Sequence, residues 1–314
     1  MTSRLGRTST PASVARTVAQ AKVNLFLRVL AREASGYHQL ETLFCRLDLG
    51  DDVVVRTTVR GRSLDCVGDV IPPSGLGPVE WNLAWRAATA YADATGWPND
   101  FAIEIEKRIP VGGGLGGGSS NAGAVLRCLN ALAPSPLSER DLLTIATPLG
   151  ADVPFLTSES SLAIAWGRGE RMLSIEPLSP RAVTLICFPF GVSTRDAYAW
   201  LDESRESDAA TPTVLHQSEL SSWPAIAQIA HNDFSDVVVP KVHDISAAIT
   251  SLESAAPGCG EHTIVLLAGS GATVFMVADS PDSSAPSRLT MSGVQHRAVH
   301  TRTATHVVDV EVSD

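Results

Sequence analysis

The sequence predicts an α+β chain of two domains, and three observations carry that expectation. Strand-like alternation and helix-like apolar faces follow one another along its 314 residues. That length suffices for two ordinary domains and a sizeable core. A composition shift at Glu176-Pro-Leu-Ser-Pro180 is followed by a fresh strand pattern. The expected division is a disordered N-terminal extension over 1–18, a first domain over 19–178 and a second over 179–314. A hydrophobic content of 44% and a charged content of 18% are those of a soluble globular protein.

Charge and cysteine usage narrow the functional classes. A formal net charge of −10 argues against nucleic acid or an anionic membrane as the main partner. No apolar run is long enough to span a bilayer, and no signal-peptide core follows the N-terminus. The first eighteen residues are rich in Ser, Thr and Arg and lack acids, which has a transit-peptide flavour but is short for one. Five scattered cysteines without a C-x-x-C pair suggest neither a disulfide framework nor a zinc site, so a cytoplasmic location is expected.

Val18 to Leu30 reads as a strand, with Val23, Leu25, Leu27 and Val29 alternating against Lys22, Asn24, Phe26 and Arg28. Lys22 and Asn24 point to one face, most simply an outer polar face with the lysine in water. Ser35-Gly is a turn signal, and Tyr37-His38 opens the next strand, Leu40 to Leu49. That pair could stack on and hydrogen-bond a planar base, or simply form a strand edge. Val53 to Val59 reads as a further strand, 61–78 as loop, and Asn82 to Ala94 as a helix with Leu83, Ala87, Ala90 and Tyr91 on one face.

The stretch that organises the chain comes next: Pro110-Val111-Gly112-Gly113-Gly114-Leu115-Gly116-Gly117-Gly118-Ser119-Ser120-Asn121. It lies between a predicted strand, Phe101 to Ile109, and a predicted helix, Ser119 to Leu132, that Ser119, Ser120 or Asn121 would cap. Glycines bring backbone N–H groups close to a ligand, and a helix N-terminus favours an anion, so a phosphate belongs here. A P-loop is excluded, because Ser119 stands where its lysine should be. The dinucleotide fingerprint also fits poorly: about twenty residues on, where an acid should end a second strand, lies Pro134-Ser-Pro-Leu-Ser138.

A helix from Ser138 to Ala146 starts at a capping-box-like Ser138-Glu-Arg-Asp141 and leads into Leu149-Gly-Ala-Asp-Val-Pro-Phe155. Asp152 is therefore an Asx-turn or N-cap residue, or a catalytic carboxylate. Leu162 to Ala165 and Arg171 to Ile175 form a hairpin. Val183 to Phe188 is a strand, and Gly191-Val-Ser-Thr194 caps a helix through Tyr198 and Trp200. Leu201 to Ser222 is acidic and without period, a mobile insertion. Val242 to Leu252 is helical, strands Thr263 to Leu267 and Thr273 to Val277 flank Ala268-Gly-Ser-Gly-Ala272, and Val307 to Val312 is a closing strand. His296 and His300 are four apart without a third ligand nearby, a poor metal site.

Three separated stretches agree with one another: Lys22-x-Asn24, Pro110-x-x-x-Gly-Leu-Gly-x-x-Ser-Ser120 and Gly269-Ser-Gly-Ala-Thr273. In that order they resemble the GHMP family of small-molecule kinases. Gly36-Tyr-His38, Leu149-Gly-Ala-Asp-Val-Pro154 and Gly191-Val-Ser-Thr194 extend the resemblance to a branch acting on a cytidine-bearing sugar alcohol. The resemblance implies an N-terminal ribosomal protein S5 domain 2-like α/β domain, a C-terminal ferredoxin-like α+β domain, and ATP with Mg²⁺ in the cleft between them. It implies that Pro110 to Ser120 wrap the ATP phosphates, that Asp152 is the general base with Lys22 as its partner, and that Ser120 contacts the metal. Tyr37, His38 and Tyr198 would hold the cytosine, Asn24 would sit near the reacting hydroxyl, and Gly269-Ser-Gly271 would close the cleft over the substrate. The implied reaction is phosphorylation of a 2-hydroxyl in the non-mevalonate route to isoprenoids, with no obligate protein partner. Gly123 departs slightly from the family, which more often has alanine there. Rival readings are another GHMP kinase, a nucleotide-binding protein without turnover, and a dinucleotide oxidoreductase.

Overall fold

In the computed structural model, residues 14–58, 60–205, 214–280 and 293–313 are described. The first sheet is built around two long antiparallel strands, β1 (Val14–Arg32) and β2 (His38–Thr58). β1 begins inside the stretch expected to be an extension: Val14, Ala15 and Arg16 pair with β2, so only 1–13 of that stretch lie outside the described residues. β2 joins the two strands expected at 40–49 and 53–59. Gly50 and Asp51 look like a turn in sequence, yet they sit in the ladder opposite Gln20 and Ala19. Asp51 is fully buried there because it accepts the backbone amides of Arg108 and Ile109 instead of turning the chain.

β3 (Ser63–Val67) runs parallel to β4 (Asp100–Glu106), which pairs with β2. β3 carries no strand signal in the sequence because only Leu64 and Cys66 turn inward, while Ser63, Asp65 and Val67 are exposed. Between them α1 (Leu83–Thr95) starts at Asn82, whose side chain accepts the Ala84 amide. α2 (Gly117–Leu132) follows the glycine stretch, α3 (Glu139–Ala146) starts at Ser138, and α4 (Val153–Thr157) carries Asp152 at its N-cap position. Ala87, Ala88 and Tyr91 of α1 and Val125, Leu126 and Leu129 of α2 bury against Val53, Val55, Phe101 and Ile103 of the sheet. Gly123 has a structural reason here: a Cβ on it would stand 2.4 Å from the Leu156 carbonyl oxygen, so its absence lets α4 seat directly on α2. β5 (Leu162–Gly167) adds to β2 and forms a hairpin with β6 (Arg171–Ser174).

The second sheet has the order β11-β7-β10-β9, antiparallel throughout, from β7 (Ala182–Cys187), β9 (Ile264–Leu267), β10 (Val274–Val277) and β11 (Arg297–Arg302). Around it lie α5 (Thr194–Ser204), α6 (Trp223–Ile229), α7 (Ser235–Val238) and α8 (His243–Ala255). Two short strands from beyond residue 178 join the first sheet: β8 (His231–Asn232) lies parallel to β1, and β12 (Glu311–Ser313) antiparallel to it. Val23, Leu25 and Phe26 of β1 share one core with Val183, Leu185 and Phe275 of the second sheet.

β11 and α6 escaped the sequence reading. His300 lies on β11 and His296 just before it, so their spacing is not that of one helix face. The closing strand is shorter than the expected 307–312. Within the supposed insertion, Leu201–Ser204 end α5 and Gln217–Leu220 form a 3₁₀ turn, while 206–213 lie outside the described residues. Asn232 fastens β8 to the far side of the molecule: its Nδ2 donates to the carbonyls of Leu267 and Gly269, each at 2.8 Å.

Candidate active site

The glycine stretch reaches α2 through Gly116, which sits at φ 72° as the N-cap and makes no side-chain cap bond. This corrects the expected capping by Ser119, Ser120 or Asn121, which lie inside the first turns. The leading amides of a helix have no intrahelical acceptor, so the start of α2 presents donors and the positive end of its dipole. A cleft of about 540 Å³ opens on them, lined by the loop from Pro110 to Ser119 and by Lys22, Asn24, Asp152, Tyr198 and Ser270.

Lys22 is not on a solvated face; it is 3% exposed. Its backbone amide donates to the Leu115 carbonyl at 3.0 Å, which ties the glycine loop to β1. Its ammonium lies 3.2 Å from Asp152 Oδ2 and donates to Asn24 Oδ1 at 2.9 Å. Asn24 Nδ2 donates to Thr42 Oγ1 at 2.8 Å, and Thr42 Oγ1 donates to the Phe26 carbonyl at 2.7 Å. That chain of donors fixes which end of the Asn24 amide faces the lysine. Asp152 occupies the N-cap position of α4, but its carboxylate caps no amide. It faces Lys22 and the cleft, with 29% of the side chain exposed.

A second buried cation lies under the loop. Lys107 Nζ pairs with Asp51 and donates to Asn121 Oδ1 at 2.8 Å, while Asn121 Nδ2 donates to Asp51 Oδ2 at 2.8 Å. This triad joins β2, the end of β4 and the first turns of α2. The sequence reading passed over it; the signal was a lysine, one of three in the chain, three residues before Pro110.

The other expected site residues divide. Ser120 is 1% exposed and its hydroxyl donates to the Gln20 carbonyl at 2.6 Å, because position 120 of α2 faces β1. It is turned toward β1 and does not line the cleft. Ser119 lines the cleft instead, and its hydroxyl has no hydrogen-bond partner among the described residues. Gly271 packs on the loop, where a Cβ would lie 2.4 Å from the Gly114 nitrogen, so the cleft wall here is Gly269 and Ser270. Thr273 N completes this contact by donating to the Gly113 carbonyl at 3.1 Å.

Tyr198 lines the cleft, and burial, with Asp152 and Asp202 nearby, pushes its hydroxyl pKa up to about 12. His38 stacks directly on Tyr198, centroids 4.4 Å apart, and its Nε2 lies 2.7 Å from Asp202 Oδ1. That spacing leaves no room for a base between the two rings. Tyr37 is 61% exposed, under the Arg168 guanidinium at 4.2 Å, and is not part of the cleft wall.

A helix start with open amides facing a lysine–aspartate pair across one cleft suits a phosphoryl-transfer enzyme. Residues 82–159 match the family described as the GHMP kinases N terminal domain. A 4-diphosphocytidyl-2-C-methyl-D-erythritol kinase of Desulfotalea psychrophila is 37% identical over 265 residues, covering 82% of this chain and 84% of that relative. One from an Anaeromyxobacter species is 38% identical over 286 residues, covering 88% and 85%. A crystal structure of a 4-(cytidine 5'-diphospho)-2C-methyl-D-erythritol kinase superposes with a TM-score of 0.66 at 34% identity, covering 85% of this chain and 91% of that one. The chain belongs to the 4-diphosphocytidyl-2-C-methyl-D-erythritol kinase family of GHMP kinases.

Proposed function

We propose that this protein transfers the γ-phosphoryl group of ATP to the 2-hydroxyl of 4-diphosphocytidyl-2-C-methyl-D-erythritol, a step of the non-mevalonate route to isoprenoids. The observation that carries this reading is the Lys22–Asp152 pair, 3.2 Å apart, facing the start of α2 across one cleft. The loop amides bind the phosphates. Leu76, Trp81 and Leu83 offer the adenine apolar surface on the cleft wall. Asp152 accepts the proton of the attacking tertiary hydroxyl, and Lys22 offsets the charge that develops in transfer. Asn24 is held beside them by Thr42 and orients the lysine.

Mg²⁺ fits this donor set: it is bound through substrate phosphates with few protein ligands, and Ser119 offers an unengaged hydroxyl at the helix start. When bound it would neutralise phosphate charge; no group of three His, Cys, Asp or Glu able to hold a metal occurs among the described residues. The cytosine would bind on the outer faces of the His38–Tyr198 stack, or after the two rings part. Residues 19–178 would form the ATP-binding domain and 179–314 the domain that closes over the substrate. The enzyme would act in the cytoplasm on a small molecule, without nucleic acid or an obligate protein partner.

The test is ADP release by the purified protein with ATP, Mg²⁺ and this substrate, beside mevalonate and homoserine. Turnover that depends on the cytidine compound is the expected result. Nucleotide binding without turnover on it would overturn the substrate assignment.

A further inference from the structure

Arg46 on β2 is the largest fully buried side chain, 1% exposed, and no acid pairs with it among the described residues. Its charge is met by carbonyl dipoles: Nε donates to Ser160 O at 2.9 Å, and Nη2 to Phe155 O at 2.8 Å and Ser158 O at 2.9 Å. Burial pushes its pKa down to about 9. An unpaired interior guanidinium is costly, and an apolar residue of similar volume is often the more stable choice.

Those three carbonyls lie at and just beyond the C-terminal end of α4, whose other end carries Asp152. A helix of five residues does not hold itself together, so its direction is set by what ties it down. The same guanidinium lies 5.0 Å above the Phe155 ring. Phe155 stacks on Phe44, centroids 4.9 Å apart and planes 13° apart. The Lys22 ammonium lies over the Phe44 ring, 5.6 Å from its centre. Each ring of the stacked pair thus carries one cation. Phe44 and Arg46 reach this position because residues two apart on a strand share a face.

We propose that Arg46 is a positioning residue for the Lys22–Asp152 pair, holding α4 by its carbonyl end and, through Phe155, the Phe44 ring against which Lys22 lies. This rests on the reading of Lys22 and Asp152 as the catalytic pair. Lysine could not replace Arg46, because a single ammonium cannot reach from two nitrogens to three carbonyls as the planar fork does.

The test uses the intact protein and its small number of lysines, Lys22, Lys107 and Lys241. In ¹⁵N-lysine-labelled, ligand-free protein, the Lys22 ammonium signal is assigned by its loss in Lys22→Met and compared in Arg46→Lys and Phe44→Leu. We expect the Lys22 signal to shift and broaden in both variants while that of Lys107 stays in place. In parallel, kcat should fall about tenfold or more with KM for ATP within about threefold, the split expected when positioning rather than binding is lost. An unmoved Lys22 signal in both variants overturns the proposal. So do Lys22 and Lys107 signals that change together, since that reports general loosening. If the unaltered protein showed no turnover, the functional reading would fall, and the ligand-free signals would still decide this one.

Discussion

Gly116 lies so close to Lys22 that a Cβ on it would stand 3.0 Å from the lysine Cγ and 3.1 Å from its Cε. The residue that starts α2 and the lysine that pairs with Asp152 therefore share one space. Gly116 also holds φ at 72°, where an L side chain costs about 1–2 kcal/mol. Gly116→Ala should lower kcat more than about tenfold by displacing Lys22, while far-UV circular dichroism stays unchanged. Steady-state kinetics beside a dichroism spectrum checks this.

Asp152→Asn should reduce kcat by about 10²–10⁴-fold, the usual range for a general base. ADP binding should be retained, because no hydrogen bond or ion pair joins the carboxylate to the glycine loop among the described residues. Lys22→Ala should weaken nucleotide binding as well as turnover, since its ammonium lines the cleft beside the glycine loop. Calorimetric titration with ADP separates the two variants.

Lys107→Met should act on stability and not first on chemistry. It leaves Asp51, fully buried, without its cation, a loss of about 3–5 kcal/mol for such pairs. The Tm should fall sharply, and adding Asp51→Asn should recover part of it. A double variant no more stable than the single would argue against the pair as the cause.

His231 on β8 should give the protein a pH-dependent fastening. Its hydrogen bond to Asp233 raises the imidazole pKa above its usual value of 6.5. The folded state therefore holds the proton more tightly than the unfolded chain. Its contribution is complete below about pH 6.5 and fades as pH rises through the raised value. The Tm difference between the unaltered protein and His231→Gln should be larger at pH 5.5 than at pH 8.5. An equal difference at both would rule this linkage out.

Much of the fold was legible because its main elements carry local signals. α1 and α3 have side-chain caps at Asn82 and Ser138, and the β1 pattern alternates. β3 and β11 were missed because both are half exposed and lack a strong apolar period. Lys22 looked like a solvated lysine, because burial of an ammonium depends on Asp152, some 130 residues away in the chain. The Asp51–Lys107–Asn121 triad was hidden for the same reason: its members are ordinary surface residue types until three elements converge. Ser120 was placed at a metal by motif, and a helix period decides instead that Ser119 faces the cleft and Ser120 the strand.

The notch at Gly123 lets α4 lie directly against α2, so the helix start at the glycine loop and the Asp152 carboxylate are fixed to each other through one backbone contact. On the proposed reading, the spacing between phosphate and base is set there. A lineage changing its acceptor alcohol would adjust α5 instead, since β1 carries Lys22 and Asn24 and β2 carries Phe44 and Arg46, and it could leave that spacing untouched.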